Sequence, residues 1–369
     1  MSIIEENEDF FDLLPDAIVL TIFDKVQDAK SLCISSSLCK RFHFLVTQTQ
    51  YISLTIPPQK SHKSSPNNNT NRNQFIGFLN RVFVKPFQFI LQQITKWNPL
   101  CMPLILSTKK NDKYNCCTCS YASPNEILRN FNEIKELEIR LPSPASEKTA
   151  GTNNAGDALL KWKAEFGSQL KNCLIVGGTS LSPIQNKRIR KEDDVENVDI
   201  RRRDDPTSIE LQRMTNDELK LRIVWIISSL IAASSRHCLL EDTIKEKKTI
   251  NNLVITDDVG QGKCCIYGEQ VEEMRRSNME GFSTKMPALK VKMWCVPELE
   301  LHAEGCVMKG ATLVVIKPVD KWSKADEGRD LVAKGFGLAG EGKEEKVFDE
   351  VARELVKLER SYSLEMNSF

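Results

Sequence analysis

The glycine-rich run Gly335-Phe-Gly337-Leu-Ala-Gly340 is one place where the sequence could bind a phosphate. Its spacing fits the G-x-G-x-x-G pattern that lets a backbone approach a dinucleotide. A phosphate-binding loop also needs Ser or Thr after its lysine to hold Mg²⁺, but here Lys343 is followed by Glu344, an anion. No clear strand precedes the run. We therefore interpret it as a glycine linker ahead of the last helix and predict no nucleotide cofactor.

Twelve cysteines and four histidines could supply metal ligands or nucleophiles. Cys116 and Cys119 form one C-x-x-C pair, but a tetrahedral zinc site usually needs two such pairs, and no second pair follows. His43, His237 and His302 have no Ser, Cys or Asp in a recognised nucleophile context. The sequence therefore predicts free thiols, no bound metal and no catalytic residue.

A segment over residues 72–113 interleaves basic side chains with aromatic rings. Such a mixture is typical of a single-stranded nucleic-acid groove, where bases stack on the rings, or of a membrane-surface helix. Pro86 interrupts a continuous helix, and the rings could instead anchor one domain on another. An anion-binding protein that uses residues 72–113 on nucleic acid or membrane is therefore the alternative function. The residues concerned are Arg72, Phe75, Phe78, Arg81, Phe83, Lys85, Phe87, Phe89, Lys96 and Trp97.

The overall charge balance conceals two oppositely charged segments. The 369 residues contain 51 Lys and Arg against 50 Asp and Glu, a net charge of +1, which argues against a uniformly basic nucleic-acid binder. Residues 1–28, however, contain eight acids and one base, whereas residues 29–113 contain twelve bases and one acid. The basic segment therefore suits an acidic protein surface by charge complementarity, and it suits an RNA backbone as well.

The sequence predicts a protein of the nucleus or cytoplasm, neither secreted nor transmembrane. Its first ten residues are acidic, unlike a secretory signal. Its most apolar run, Ile223–Ala233, has about eleven residues, which is too short to span a bilayer and indicates a buried core helix. Two basic clusters have the outline of a nuclear import signal, although a solvated loop explains them equally well. These clusters consist of Lys187, Arg188, Arg190, Lys191, Arg201, Arg202 and Arg203.

Strand and helix patterns alternate beyond the polar linker at 55–74, which predicts an α/β domain over 75–369 with mobile loops near 142–156 and 185–208. The predicted strands are Ile134–Leu141, Asn172–Gly177, Asn251–Thr256, Ala288–Trp294 and Ala311–Lys317. The predicted helices are Pro124–Asn132, Ala158–Gly167, Thr215–Lys245, Gly268–Met274 and Glu344–Ser361. A shared leucine-x-apolar pattern hints at degenerate leucine-rich repeats, although no fixed period is present. It occurs at Leu137–Ile139, Leu174–Val176 and Leu299–Leu301.

The N-terminal residues predict three short helices. Leu14, Ile18, Ile22 and Val26 recur at helical spacing, so they lie on one face of the first helix. Pro15 suits a first helical turn, and Asp28 suits the N-cap of a second helix that contains Leu32. The third helix has an apolar face of Leu38, Phe42, Leu45 and Val46, and Pro57-Pro58 closes the unit.

Residues 10–46 resemble an F-box in five elements that occur in register. These are Leu14-Pro15-Asp16, Ile22-Phe23, Asp28 to Leu32, Cys39-Lys40-Arg41-Phe42 and Leu45-Val46. Four later segments, in order along the chain, are similar to plant F-box proteins of the auxin up-regulated class. They are Leu160–Ser168, Leu219–His237, Leu253–Gly262 and Met293–Pro318.

The resemblance implies an α+β protein with a three-helix F-box at 8–54 and an α/β substrate-recognition domain. It implies binding to a Skp-type adaptor, and through it to a cullin scaffold, as the non-catalytic substrate receptor of a ubiquitin ligase. The target protein stays unknown, and no small-molecule substrate is expected. Because about 40 residues bury little apolar surface alone, an adaptor can cover what stays exposed. The expected adaptor-binding residues are Leu14, Pro15, Ile18, Ile22, Phe23, Leu32, Phe42 and Leu45.

Overall fold

The computed structural model describes residues 11, 13–56, 124–142, 159–184, 214–277, 287–322, 328–336 and 343–366. The basic aromatic segment, the C-x-x-C pair and the basic clusters of the import signal lie outside these residues, as do nearly all of the predicted linker and loops. The described helices are α1 (Asp16–Val26), α2 (Ala29–Ser36), α3 (Lys40–Thr47), α4 (Pro124–Leu128), α5 (Asn216–Glu246), α6 (Glu269–Ser277), α7 (Arg329–Lys334) and α8 (Lys343–Leu355).

Most of the described strands form one mixed sheet of nine strands. The strands are β1 (Tyr51–Thr55), β2 (Glu136–Leu141), β3 (Leu159–Phe166), β4 (Leu170–Gly178), β5 (Ser180–Pro183), β6 (Asn252–Asp257), β7 (Gly262–Tyr267), β8 (Leu289–Cys295), β9 (Glu298–Leu301), β10 (Cys306–Lys309), β11 (Thr312–Pro318) and β12 (Tyr362–Met366). The large sheet has the order β1-β2-β6-β7-β3-β4-β11-β8-β12, and a small sheet has the order β5-β10-β9. Pairing is parallel for β1-β2, β2-β6 and β3-β7 and antiparallel elsewhere. The expectation of a mixed helix and strand protein is confirmed.

The predicted helix at Ala158–Gly167 is wrong, because these residues form β3. Trp162, Ala164 and Phe166 alternate along the strand and are all buried. Lys161 and Lys163 point to the opposite face and are buried as well, so the segment has no solvent-exposed polar face. Its alternation is therefore that of an interior strand, which the charged residues concealed.

The leucine-rich-repeat interpretation is also wrong. Repeats of that kind stack side by side, but β2 and β4, which contain two of the three segments, are separated by β6, β7 and β3. The third segment lies in β9, which belongs to the small sheet. The five predicted strands are confirmed within two residues of their ends.

Two hydrophobic clusters cover opposite faces of the large sheet. One packs α5, α6 and the N-terminal helices against the sheet, and the other packs α7 and α8 against β4, β8 and β11. Helix α5 begins with a capping box in which Thr215 and Glu218 satisfy each other's backbone N–H groups. By length and composition α5 could cross a bilayer, which differs from the expectation that its apolar run is too short. Half of that apolar stretch is buried inside the molecule, and Ile226, Leu230 and Ala233 of the predicted run lie in the first cluster, as expected of a core helix.

A buried ion pair connects α5 to the turn between β6 and β7. Arg236 donates a hydrogen bond to the carboxylate of Asp257 (Nη2–Oδ2 2.7 Å), and its guanidinium lies 4.6 Å from the centroid of the Trp162 ring. The same carboxylate accepts hydrogen bonds from the backbone N–H groups of Gln261 and Gly262. Gly262 suits this position because a Cβ would come within 2.3 Å of Trp162.

We expect Asp257→Ala to lower the free energy of unfolding by about 3–5 kcal/mol, because it leaves the Arg236 charge buried without its carboxylate. Urea denaturation followed by circular dichroism measures this loss. The matched control is Glu298→Ala, which removes an exposed ion pair with Lys309. It should change stability by less than about 1 kcal/mol. Equal effects of the two variants would contradict the role of the buried pair.

Candidate protein-binding surface

Helix α1 turns its predicted apolar stripe away from the core. Ile18 is 48% exposed and Ile22 is 37% exposed, and Val26 is also exposed. The buried residues of the helix are instead Val19 and Phe23. Helix α1 is therefore apolar on two faces, and only one of them is used within the molecule.

The exposed apolar side chains of the described residues are concentrated near the N-terminus. Eight of the fifteen large ones fall within residues 11–44. They are Phe11, Leu13, Ile18, Ile22, Val26, Ile34, Leu38 and Phe44. We call this set the outer apolar surface. On α1, Ile18, Ile22 and Val26 follow one another at four-residue spacing and form an exposed apolar strip, which is typical of a protein-binding site.

The eight residues expected to bind an adaptor separate into two groups. Pro15, Ile18 and Ile22 are exposed, and Leu14 and Phe42 are half-buried. The buried group consists of Phe23, Leu32 and Leu45. The ring of Phe42 packs edge-on against Phe23 and Phe11, with centroid distances of 5.4 and 5.8 Å. The buried side chains therefore position the helices, while the exposed ones are available to a partner.

The expected adaptor-binding residues did not include six members of the outer apolar surface, namely Phe11, Leu13, Val26, Ile34, Leu38 and Phe44. Val26 and Leu38 had been assigned to apolar helix faces, which are usually buried. Leu38 instead lies in the turn after α2, before α3 begins. The sequence did contain one signal for these residues. The three helices have more apolar residues than a single face of each helix can bury, so some of them must be exposed.

Arg41 holds the Leu14-Pro15-Asp16 turn against α3. Its Nε donates to Asp16 Oδ1 at 2.8 Å, and its Nη1 donates to the carbonyl oxygen of Phe11 at 2.9 Å. Its Nη2 donates to the carbonyl oxygen of Leu14. A planar guanidinium can satisfy three acceptors at fixed angles, so this one side chain sets the path of the chain into α1.

The three N-terminal helices are joined to the sheet by hydrogen bonds. The backbone N–H of Ser53 in β1 donates to the carbonyl of Gln27 at 2.7 Å, between α1 and α2. The N–H of Gln50 donates to Asp24 Oδ1 at 2.8 Å. Asp28 caps α2 as predicted, because its carboxylate accepts from the hydroxyl and backbone N–H of Ser31, which lowers its pKa.

The other candidate chemical groups have structural roles. His237 is buried, and its ring stacks on that of Phe166 with the centroids 4.5 Å apart. Its Nε2 lies 3.0 Å from the carbonyl oxygen of Gly167. Burial lowers the pKa of His237, which favours the neutral ring. Burial raises the pKa of Cys173 to about 12, which favours the protonated thiol. Gly335 ends α7 with φ 59°, as a glycine that closes a helix does. Within the described part of the chain, no group of three or more potential ligands could hold a metal ion.

Comparison with known proteins assigns the family. F-box protein At4g18380 of Arabidopsis thaliana is 36% identical over 379 residues, which span 98% of this chain and 94% of that protein. The chain belongs to the F-box protein family. F-box protein AUF2 of Arabidopsis thaliana is 30% identical over 374 residues, and F-box protein AUF1 is 29% identical over 370, each over 98% of this chain and 100% of the relative.

These relatives confirm the resemblance to plant F-box proteins of the auxin up-regulated class. No protein-family model and no solved structure matches the chain.

We expect Phe23→Ala to lower the free energy of unfolding by about 3–5 kcal/mol, because it leaves a cavity in the core beside Phe42 of α3. Ile18→Ala, one helical turn away on the exposed face, should change it by less than about 1 kcal/mol. Urea denaturation of both variants measures the difference. A larger loss for Ile18→Ala would contradict the orientation of α1.

Proposed function

We propose that the chain is the substrate-recruiting subunit of a Skp-cullin-F-box ubiquitin ligase, which directs target proteins to ubiquitination and proteasomal degradation. The observation that carries this proposal is the outer apolar surface near the N-terminus of an F-box family member. The chain performs no bond chemistry in this role. It accelerates ubiquitin transfer by bringing the target close to a ubiquitin-charged enzyme.

We infer that α1, α2 and α3 are the F-box and that the outer apolar surface binds the Skp adaptor. Pro15, Ile18 and Ile22 contact the adaptor directly, together with members of the outer surface that were not among the expected adaptor-binding residues. Phe23, Leu32 and Leu45 do not contact the adaptor. They are buried, and their packing sets the relative positions of the three helices. Fully burying an isoleucine or phenylalanine contributes about 1.5–3 kcal/mol, so a few such contacts suffice for stable association.

The proposed domain arrangement is compatible with this function. The F-box module proposed at 8–54 ends within β1, which pairs with β2 of the large sheet. We propose that residues 75–369 form the target-recognition domain, that 55–74 link it to the module, and that the basic clusters at 187–203 act in nuclear import. Because helices and sheet share one hydrophobic cluster, a bound target is held at a defined orientation to the adaptor.

Replacing Ile18 and Ile22 together by Glu should weaken binding of recombinant Skp adaptor at least about a hundredfold. Each apolar side chain contributes about 1.5 kcal/mol or more, and two such losses amount to that factor. Isothermal titration calorimetry measures the affinity, and circular dichroism checks that the variant is folded. The matched control is Leu181→Glu with Val259→Glu, which charges two exposed apolar residues far along the chain. An adaptor that binds the Ile18 and Ile22 variant as well as the unmodified chain would overturn the proposed surface.

Arg41→Lys should weaken adaptor binding about tenfold while the positive charge is kept. A lysine ammonium group cannot donate hydrogen bonds to the Asp16 carboxylate and to the carbonyls of Phe11 and Leu14 at the same time. The turn at Leu14-Pro15 therefore loses its position. The same calorimetric titration measures the change. Lys40→Ala removes the neighbouring exposed base and should leave affinity within about twofold. A larger effect of Lys40→Ala would show that net charge, and not positioning by Arg41, determines the affinity.

A further inference from the structure

The two edges of the large sheet differ. At one edge, the corner between α1 and α2 covers β1. The backbone N–H of Ser53 in β1 donates to the carbonyl of Gln27, and Asp28 pairs with Ser53 in an isolated parallel β-bridge. At the other edge, β12 pairs with β8 and with no other strand among the described residues. In an antiparallel pair, alternate residues turn their backbone N–H and C=O groups away from the partner. The outer side of β12 therefore presents backbone donors and acceptors to solvent.

Among the five residues of β12, only Glu365 carries a charge that could protect this edge. Proteins usually block an open edge with proline, a bulge or charged side chains, especially lysine, and Tyr362–Met366 contains no proline or lysine and pairs with β8 in continuous register. Tyr362 is 46% exposed and Leu364 is 52% exposed. Both lie on the face that bears Val291 and Met293 of β8.

The opposite face of β12 is polar. Ser363 and Glu365 stand opposite Lys292 and Lys290 of β8, and Glu365 forms an ion pair with Lys290 at 3.1 Å. The Glu365 side chain is nevertheless largely exposed, so a second base on a neighbouring strand can reach it. The edge thus has an apolar face and an acidic face.

We propose that β12 binds an extended segment of the target protein, which adds to the sheet as a further strand. This inference rests on the proposed function and names its substrate class. The open backbone groups require a partner in the extended conformation, as in other cases of strand addition. Cross-strand neighbours of Tyr362 and Leu364 should be aromatic or β-branched, and the neighbour of Glu365 should be basic. The occupant is therefore a segment in which apolar and basic residues alternate.

The position of β12 suits a receptor. Eight strand spacings of about 4.8 Å separate it from β1, so the two edges lie roughly 35–40 Å apart along the sheet. The helices that carry the outer apolar surface pack at the β1 edge. A target strand on β12 therefore leaves the adaptor surface free.

The test uses the full chain and a seven-residue fluorescent peptide that alternates lysine and valine, with both ends blocked. Fluorescence anisotropy should show saturable binding, and hydrogen exchange should show protection of amides in residues 362–366. Two further peptides are N-methylated at every valine or at every lysine, so one of them lacks the N–H donors that face β12 and should bind at least tenfold more weakly. Equal binding of all three peptides, or protection elsewhere in the chain, would overturn the proposal.

Tyr362→Lys with Leu364→Lys should weaken peptide binding at least tenfold, because it places cations at the edge and removes both apolar side chains. Leu181→Lys changes a similarly exposed residue of β5 and should leave binding unchanged.

Sedimentation velocity of the peptide-free chain tests whether a second copy occupies the edge. The proposal would be replaced by self-association if the unmodified chain is a dimer, the β12 substitutions dissociate it, and the monomer binds no peptide. Adaptor binding by the β12 variant should equal that of the unmodified chain, so this inference can fail while the proposed function stands.

Discussion

Pairing of β1 with β2 is the interaction on which the rest of the structure depends. Three short helices bury too little apolar surface to be stable alone, and β1 supplies what they lack by joining them to a large sheet. Ile52 and Leu54 of β1 stand opposite Leu137 and Ile139 of β2, and all four are buried in the cluster that also contains Phe23 and Leu32. The stability of the helices therefore comes from the same core as that of the sheet.

This shared core has a consequence for the surface of α1. Because Val19 and Phe23 are the residues of α1 that are buried in the interior, Ile18, Ile22 and Val26 can remain partly exposed. The Arg41 contacts at the start of α1 hold the exposed side chains in place without burying them. A preformed apolar surface loses little conformational entropy when a partner covers it, which favours tight binding.

Local sequence patterns predicted most long elements, and they failed where burial and not periodicity decided the structure. Helix α5 and five of the strands follow apolar patterns that match their type. Ala158–Gly167 was predicted as a helix but forms β3, in which Lys161 and Lys163 are buried and Lys161 pairs with Glu345 of α8 at 3.1 Å. The last helix was predicted to reach Ser361, yet it ends at Leu355, and the chain then forms β12 against β8. A strand of that kind is specified by its partner, which lies about 70 residues earlier in the chain.

The three N-terminal helices, the Asp28 cap and the alternation of strands and helices could be predicted from the amino-acid sequence, and the resemblance of its motifs to known proteins indicated the F-box family. The helices and the cap follow from short-range spacing, because a helix face or an N-cap depends on residues within one or two turns. Which apolar residues of those helices are buried depends on the tertiary structure, because α1 has two apolar faces and the sheet covers one of them. That β1 is covered and β12 is open likewise depends on the tertiary structure, since an edge is defined by strands that are distant in sequence.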